Sequence, residues 1–172
     1  MKHKIIDNYL PNEYFKNIQT AIVRNEQFPW NRINELNVFQ SSNDRDVYFA
    51  HMIYNHHVPT TQQQNWALVV PFLSQLEKEE KMNALIRVKV NYYHSTPEIV
   101  EHEKHYDYPG TLVPHKGAIL YLNTCDGFTR LEDGTKVESI ENRLLIFDDS
   151  QMHNSTTTTS FEGRYNINVN YF

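Results

Sequence analysis

The sequence predicts a mainly β fold of the α+β class, a double-sheet jelly roll with two helices packed on its outside. Two helical patterns occupy the N-terminal part, and short strand patterns separated by turns follow from residue 85 onward. The final stretch, GRYNINVNYF, alternates polar and apolar residues without interruption, as a strand does. With 172 residues, 40% of them hydrophobic, the chain suits one domain with a sizeable core. We therefore expect a single domain over 1–172, with a helical N-terminal support region (1–83) and a jelly-roll core (84–172).

The first elements are a short strand, a helix and a second strand. Lys4–Asp7 has the composition of a strand, and apolar residues at helical spacing after Pro11 predict a helix from about Asn12 to Arg24. Val47–Tyr54 reads as the second strand.

A second helix is predicted over Thr61–Lys81, where apolar residues recur at intervals of three and four. Thr61 and Gln64 have the spacing of a capping box at its start. Because proline lacks the backbone N–H, Pro71 is expected to kink or split this helix.

The C-terminal part alternates strand patterns with turn signals. Asp133-Gly134 lies between two of the strand patterns and predicts a hairpin turn, while Asp126-Gly127 is a second turn dipeptide. The run Thr156–Ser160 is expected to form a surface loop before the last strand. The predicted strands are Leu85–Tyr93, Ile99–His105, Ala118–Asn123, Phe128–Leu131, Thr135–Ser139, Arg143–Phe147 and Arg164–Tyr171.

Composition and charge narrow the kinds of binding partner and the cellular compartment that we expect for this protein. The formal net charge is −5 with scattered basic residues, so there is no electrostatic signal for nucleic acid or an anionic membrane. A single cysteine, Cys125, excludes an internal disulfide and favours a reducing compartment. No apolar run is long enough for a signal peptide at the start or for a membrane span. We therefore expect a cytoplasmic protein, and its oligomeric state is left open.

The last strand raises the question of what its polar face contacts. Arg164, Asn166, Asn168 and Asn170 fall on one face, and apolar or aromatic residues fall on the other. On most antiparallel sheets such a face is hydrated. The alternative is that this face lines a polar pocket in which Arg164 binds an anion.

Two histidines and an aspartate form a candidate metal-binding set. His105 and Asp107, in EKHYDYPG, are separated by one residue and point the same way on an extended backbone. His153, in SQMHNS, follows the predicted strand RLLIF. Two histidines and one carboxylate make the facial triad typical of non-haem Fe(II) centres. Such a set leaves coordination positions open, although a short HxD triplet alone is common on protein surfaces.

His102 is the strongest rival ligand among the other histidines, because it stands between Glu101 and Glu103. Adjacent residues on a strand point in opposite directions, so neither neighbour shares its face. Asp148 and Asp149 precede His153 and are candidates to orient its ring, although such a pair also commonly ends a strand.

Taken together, the HxD triplet, the distal histidine and the arginine of the last strand resemble the Fe(II)/2-oxoglutarate-dependent dioxygenases. The segments KGAILYLNTCDGFTRLEDG, NRLLIFDDSQMHNS and GRYNINVNYF resemble the prolyl-4-hydroxylase-like branch of that superfamily. The N-terminal IIDNYLPNEYFKNI, leading to FPW, resembles the entry segment of such domains. The resemblance implies a double-stranded β-helix that binds iron at its open end.

The resemblance also implies the cofactors and the residues that bind them. The cofactors are Fe(II), 2-oxoglutarate and O₂, with ascorbate as an accessory reductant. His105, Asp107 and His153 would be the catalytic metal ligands, and Arg164 would pair with the far (C5) carboxylate of 2-oxoglutarate. Tyr121 would offer that carboxylate a hydroxyl.

Four further residues are candidates for the co-substrate pocket, three of them by the same resemblance and Asn166 by its place on the last strand. Asn91 and Tyr93 match a pair that some members carry before the triad, with Tyr92 as the alternative to Tyr93. Asn166 shares the face of Arg164, and Thr129 stands where the family often has a small polar residue.

The implied reaction hydroxylates an unactivated C–H bond while 2-oxoglutarate is converted to succinate and CO₂. By analogy with the branch, a prolyl residue of a peptide or protein is the first expected substrate, and a free amino acid or another small molecule is the next. Two alternatives stay open at this stage. One is a cupin-like metalloenzyme that does not use 2-oxoglutarate and does not need Arg164. The other is a non-catalytic jelly-roll binding module.

Overall fold

The computed structural model of the protein describes residues 3–33, 47–107 and 114–172. Over these ranges the chain folds into short antiparallel strands and two helices, as the sequence predicts. The helices are α1 (Asn12–Val23) and α2 (Gln63–Glu80). The strands are β1 (His3–Ile6), β2 (Asn31–Ile33), β3 (Tyr48–Asn55), β4 (Val58–Pro59), β5 (Leu85–Tyr93), β6 (Lys116–Tyr121), β7 (Phe128–Leu131), β8 (Lys136–Glu138), β9 (Leu144–Asp148), β10 (His153–Ser155) and β11 (Arg164–Tyr171).

Two antiparallel sheets build the jelly roll. The large sheet has the strand order β1-β9-β6-β11-β5-β3-β2, with β4 paired to β3, and the small sheet has the order β10-β7-β8. In the centre of the large sheet, β11 pairs with β5 on one side and β6 on the other. This arrangement places the last strand of the chain in the middle of the sheet.

The outer face of the large sheet carries the main hydrophobic core. Phe15 and Ile18 of α1 and Phe72 and Leu76 of α2 are buried against it. The sheet contributes the apolar residues of its alternating strands: Val88, Val90, Ala118, Leu120, Leu144, Ile146, Ile167 and Val169. The prediction of helices packed on the outside of the sheet is confirmed.

The second apolar cluster lies between the two sheets. Ile119 and Leu145 of the large sheet pack there with Leu131 and Val137 of the small sheet. The β7–β8 hairpin that supplies the latter two turns at Gly134, whose φ of +86° suits glycine. The predicted hairpin at Asp133-Gly134 is therefore confirmed.

The predicted strand Ile99–His105 does not form. This segment runs beside 153–158 but pairs with it only through isolated bridges at Glu101 and His105. Side chains of the neighbouring segment bond to backbone groups here: Thr157 Oγ1 accepts from the backbone N–H of Val100, and Asn154 Nδ2 donates to the carbonyl of His102. Backbone groups that bond to side chains are not available to a regular strand ladder.

The start of α2 differs from the predicted capping box. The helix begins at Gln63 after the N-cap residue Gln62, which makes no side-chain capping hydrogen bond. The hydroxyl of Thr61 contacts His51 Nε2 at 2.7 Å and accepts from Asn65 Nδ2 at 3.0 Å.

Helix α2 also continues through Pro71 rather than splitting there. The reason lies in α1, whose Tyr14 hydroxyl accepts from the backbone N–H of Phe72 at 3.2 Å and donates to the carbonyl of Leu68 at 2.7 Å. This inserted hydroxyl satisfies two backbone groups beside the proline, and the kink at Pro71 stays a prediction.

The predicted surface loop over Thr156–Ser160 is largely buried. The side chains of Thr156, Thr157 and Thr158 are fully shielded from solvent. Their hydroxyls bond to neighbouring groups, as when Thr158 donates to Asp126 Oδ1 at 2.5 Å. A run of threonines has the polarity of a loop, but here each hydroxyl has a partner in the interior.

Strands β2, β4 and β10 were not predicted, and each has only two or three residues. Strands β1 to β4 join the large sheet, so the N-terminal part of the chain contributes strands as well as helices. The division of the domain near residue 83 stays a prediction. Among the described residues, no helix combines the length and apolar character needed to cross a membrane.

Candidate metal centre and its pocket

His105, Asp107 and His153 converge at the open end between the two sheets. Each offers one ligand atom, and these atoms lie within 4.8 Å of one another. The two histidines are held side by side by paired backbone hydrogen bonds, from His105 N to His153 O at 2.9 Å and from His153 N to His105 O at 3.1 Å. Their ring centroids are 4.7 Å apart. Asp107 joins them two residues further on, with its Oδ1 3.7 Å from His105 Nε2.

The carboxylate of Asp107 is anchored through one oxygen. Its Oδ2 accepts from Asn168 Nδ2 at 2.9 Å and Asn170 Nδ2 at 2.8 Å, and Arg87 Nη2 lies 2.6 Å away. The other oxygen, Oδ1, faces His105. Three side chains from β5 and β11 therefore orient Asp107 so that one oxygen is directed towards the two imidazoles.

The electrostatics keep Asp107 and His153 in the protonation states that a metal ligand requires. Burial by itself raises the pKa of Asp107, but the Arg87 guanidinium and the neighbouring His105 imidazole hold it well below its usual range. Burial lowers the pKa of His153 to about 4, although the charge of Asp107 opposes this shift. At neutral pH the aspartate is thus ionised and the His153 imidazole is neutral.

Asp149 lies behind His153 and is fully buried. Its Oδ1 is 3.6 Å from His153 Nδ1, and its Oδ2 accepts from Asn170 Nδ2 and lies 3.3 Å from His115 Nε2. Burial and the nearby charge of Asp107 raise the pKa of Asp149 to about 6. Of the two aspartates before His153, this one has the position to orient the imidazole, whereas Asp148 bonds to Ser150 and Gln151.

Arg164 is completely buried at the start of β11. Its Nη2 donates to Thr129 Oγ1 at 2.9 Å and its Nη1 to the carbonyl of Thr156 at 3.3 Å. The guanidinium lies over the rings of Tyr93 and Tyr121, at 5.1 and 5.5 Å. Within the described ranges no carboxylate lies within 4.0 Å of this cation, and its Nε has no hydrogen-bond partner.

The polar face of β11 is turned into the protein. Asn166, Asn168 and Asn170 are as buried as Arg164, and none of the four is more than 6% exposed. The hydrated-face alternative is therefore wrong, and the polar face lines the space between the sheets.

The other predicted co-substrate residues lie in the wall of the same pocket or, for Tyr121, directly behind it. The hydroxyl of Tyr121 donates to Thr129 Oγ1 at 2.8 Å, so Tyr121 and Arg164 share Thr129 as a partner. Asn91 Nδ2 donates to Asn166 Oδ1 at 2.9 Å across the β5–β11 pair. Asn91, Asn166 and Thr129 line one pocket with the three candidate ligands.

The choice between the two tyrosines of β5 is decided by the pleat of the strand. Tyr93 lines the pocket. Tyr92 lies on the opposite face, where its ring stacks on Tyr165 at 4.6 Å and on Phe49 at 5.7 Å. Tyr92 therefore packs among the aromatic side chains on the face of the large sheet that is turned away from the pocket.

Sequence reasoning missed Arg87 and Lys89, the two cations of β5. Both point to the pocket side with Asn91 and Tyr93, because these four positions alternate along the strand. Burial and the charge of Arg87 lower the pKa of Lys89 to about 8, so its ammonium is still protonated at neutral pH. The alternation of RVKVNY was the available signal, since it matches that of the final strand.

The rival ligand His102 lies away from the candidate metal set. It is buried beside Tyr93, with ring centroids 5.5 Å apart, and its Nδ1 is 2.9 Å from Ser155 Oγ. Burial and the charge of Arg164 lower its pKa to about 3. Glu101 points the other way and forms a salt bridge with Arg130 at 2.6 Å.

The donor set fits a ferrous ion and an anionic co-substrate. Two imidazoles and one carboxylate with a single directed oxygen suit a divalent metal that binds nitrogen and oxygen. The buried Arg164, with no carboxylate partner among the described residues, suits a ligand anion, because an isolated buried charge is costly. Thr129 lines the pocket of the three candidate ligands and accepts from Arg164, so the two features are neighbours.

No protein-family profile and no curated protein sequence matches the chain. Solved structures, in contrast, match over nearly its whole length. A prolyl hydroxylase from Trichoplax adhaerens, solved with a peptide fragment of the hypoxia-inducible-factor oxygen degradation domain, has a TM-score of 0.74 at 16% identity, covering 99% of this chain and 83% of that one. A Pseudomonas putida prolyl-4-hydroxylase has a TM-score of 0.67 at 14% identity, covering 99% and 91%.

A third match widens the range of chemistry found on this fold. It is the non-haem α-ketoglutarate-dependent epimerase of nogalamycin biosynthesis, with a TM-score of 0.70 at 11% identity, covering 99% of this chain and 77% of that one. The chain thus has the fold of the 2-oxoglutarate/Fe(II) oxygenases in its prolyl-4-hydroxylase-like form, and the predicted jelly roll is confirmed.

Proposed function

We propose that this protein is an Fe(II)- and 2-oxoglutarate-dependent dioxygenase that hydroxylates an unactivated C–H bond. The observation that carries the proposal is the convergence of His105, Asp107 and His153, whose ligand atoms lie within 4.8 Å in a shared pocket. When bound, iron and 2-oxoglutarate supply the oxidation by O₂, with succinate and CO₂ as co-products.

The chain's own residues have separable roles in this proposal. The imidazoles and the Oδ1 of Asp107 bind the metal, while Arg87, Asn168 and Asn170 keep the Oδ2 of Asp107 occupied. This arrangement favours monodentate binding by the aspartate, which leaves room for further ligands.

Arg164 pairs with the far carboxylate of the co-substrate through its planar fork of donors. Thr129 contacts both Arg164 and Tyr121, so it aligns a guanidinium and a hydroxyl towards one anion. Asn91, Asn166 and Tyr93 complete the polar wall of the pocket and hold the co-substrate in one orientation.

For the primary substrate, a prolyl residue of a peptide is the first candidate, because two of the fold's relatives are prolyl hydroxylases. One of those was solved with a peptide fragment. The epimerase of similar fold has a different reaction, so the fold alone does not select the substrate.

The test is anaerobic addition of Fe(II) and then 2-oxoglutarate to the purified protein. We expect a weak visible charge-transfer band that requires both additions and is lost in His105→Ala and Asp107→Ala. His57→Ala, at an exposed histidine outside the pocket, is the matched control and should retain the band. A folded, iron-loaded wild-type protein without the band would contradict the proposal and favour a cupin-like metalloenzyme or a non-catalytic module.

A further inference from the structure

Lys89 occupies a place in the pocket that the proposed co-substrate site does not use. It lies on β5 directly opposite Asn168 of β11 and Met52 of β3. Asn168 donates to the candidate ligand Asp107, so Lys89 stands at the level of the metal ligands. It lines the same pocket as His105, Asp107 and His153.

The ammonium of Lys89 contacts few groups for a cation that lines the candidate metal pocket. Its Nζ donates to the hydroxyl of Tyr48 at 3.1 Å and lies 5.2 Å from the centre of that ring. In the part of the chain that the structure describes, no carboxylate lies within 4.0 Å of it, whereas Arg87 on the same strand lies 2.6 Å from Asp107. An ammonium has three N–H donors, so two are directed to something other than Tyr48.

Unpartnered acceptors face the same space. Asn168 donates through Nδ2 to an acceptor-only carboxylate, which fixes its amide orientation and makes Oδ1 an acceptor. This Oδ1 is buried and has no hydrogen-bond partner among the described residues, and the same holds for Asn91 Oδ1. The pocket thus offers a cationic donor and unused amide oxygens to one molecule.

This position is distinct from the anion position at Arg164. Arg164 pairs in register with Tyr93, while Lys89 pairs with Asn168, four residues further along β11. Four residues of strand span about 13 Å. Lys89 therefore lies at the other end of this span from Arg164, beside β3.

We propose that Lys89 and the Tyr48 hydroxyl bind a carboxylate of the primary substrate. Asn168 Oδ1 accepts an N–H of the same molecule. The substrate class is therefore an amino acid with a free carboxylate, either as a small molecule or as the C-terminal residue of a peptide. This inference rests on the proposed oxygenase function.

The test uses matched pairs of probes that differ only in the carboxylate. They are L-proline against L-prolinamide, and glycyl-L-proline against its C-terminal amide, titrated calorimetrically into anaerobic protein saturated with Fe(II) and 2-oxoglutarate. We expect at least one carboxylate to bind about tenfold or more tightly than its amide, because a charge-assisted hydrogen bond is lost in the amide. The pair with the larger ratio identifies the free amino acid or the peptide terminus as the source.

Variants assign that preference to Lys89. Lys89→Met should abolish the preference for the carboxylate over the amide. In the same variant, the 2-oxoglutarate concentration at the midpoint of the charge-transfer titration should stay within twofold of wild type. Lys89→Arg should retain most of the preference. Lys16→Met, at an exposed lysine of α1, is the control and should behave as wild type. Tyr48→Phe keeps the ring and removes only the hydroxyl, so it should weaken the preference severalfold, and it serves if Lys89→Met does not fold.

Three results would overturn the inference. The first is equal binding of the carboxylate and the amide in every pair, and the second is no binding of any carboxylate. The third is loss of 2-oxoglutarate binding in Lys89→Met, which would assign the lysine to the co-substrate. An absent charge-transfer band in wild type would instead reject the oxygenase proposal. The same probe pairs on the iron-free protein would then decide whether Lys89 binds a carboxylate.

Discussion

The two faces of β5 and β11 belong to the same strands but differ completely in chemistry. Towards the helices, Val88, Val90, Ile167 and Val169 are buried in the main hydrophobic core. Towards the small sheet, the alternate residues are amides and cations, of which Asn91, Asn166 and Arg164 are equally buried. Burial alone therefore does not distinguish a stabilising face from a functional one.

The difference shows where stability and function reside. Removing apolar area from water stabilises the fold by about 25 cal/mol per Å². Burying amides and charges costs free energy unless they are paired, and on the pocket face several atoms have no partner among the described residues, including Arg164 Nε and Asn168 Oδ1. A face that carries this cost is suited to binding a ligand that supplies the missing partners.

The largest expected effect of a substitution on stability is on the helix-facing side. Phe72 is fully buried in α2 and packs edge-on against Tyr9 at 6.0 Å between ring centroids. Phe72→Ala should lower the free energy of unfolding by about 3–5 kcal/mol through lost packing and a cavity. Urea unfolding followed by circular dichroism measures it.

Phe161→Ala is the matched control, because this ring is 97% exposed, and its effect should stay within about 0.5 kcal/mol. If Phe72→Ala weakened 2-oxoglutarate binding in the folded protein and left stability intact, the separation of the two faces would be wrong.

Arg164→Met should weaken 2-oxoglutarate binding and leave stability nearly unchanged, the opposite of the pattern expected for Phe72→Ala. Removing one partner of a buried charge pair costs about 2–5 kcal/mol, so 2-oxoglutarate affinity should fall by about a hundredfold. Stability should stay within about 1 kcal/mol of wild type or rise, since a buried cation without a carboxylate partner among the described residues is replaced by an apolar side chain of similar length. Titration of the visible band and urea unfolding measure the two quantities.

Arg164→Lys separates charge from geometry, because it keeps the charge and removes the planar fork. A large loss of stability in Arg164→Met would make this residue a structural one. Unchanged metal-dependent activity without 2-oxoglutarate would favour the cupin-like alternative.

The smallest expected effect is a pH dependence confined to the pocket side. The pKa of His102 is lowered to about 3, below the value of about 6.5 in the unfolded chain. Between these values the unfolded state binds the proton and the folded state does not, so stability is lost as the pH falls from about 6.5 towards 3.

The slope from one such group is at most about 1.4 kcal/mol per pH unit. His102→Gln should therefore reduce the loss of unfolding free energy between pH 7 and pH 5.5 by about 1 kcal/mol, measured by urea unfolding at both pH values. His57→Gln, at an exposed position, should leave that difference as in wild type. An equal reduction in both variants would show that the effect does not come from the buried imidazole.

Local patterns were sufficient for most of the elements. The alternation of β11 and the helical spacing of α1 each predicted an element within one residue at either end. Predictions were wrong where side chains from distant segments act on the backbone. Asn154 and Thr157, for example, bond to backbone groups of the predicted strand Ile99–His105, which does not form.

For the candidate site, the sequence by itself determined which residue types alternate towards one face: the HxD pair, the distal histidine and the polar row of the last strand. Strand periodicity of two is a local property, so it can be read without a structure. Only the tertiary structure decided which residues meet, bringing Arg87, Asn168 and Asn170 to Asp107, and Tyr93 rather than Tyr92 to the pocket. Those contacts depend on the register between strands far apart in the chain, and register is set by packing across the whole sheet.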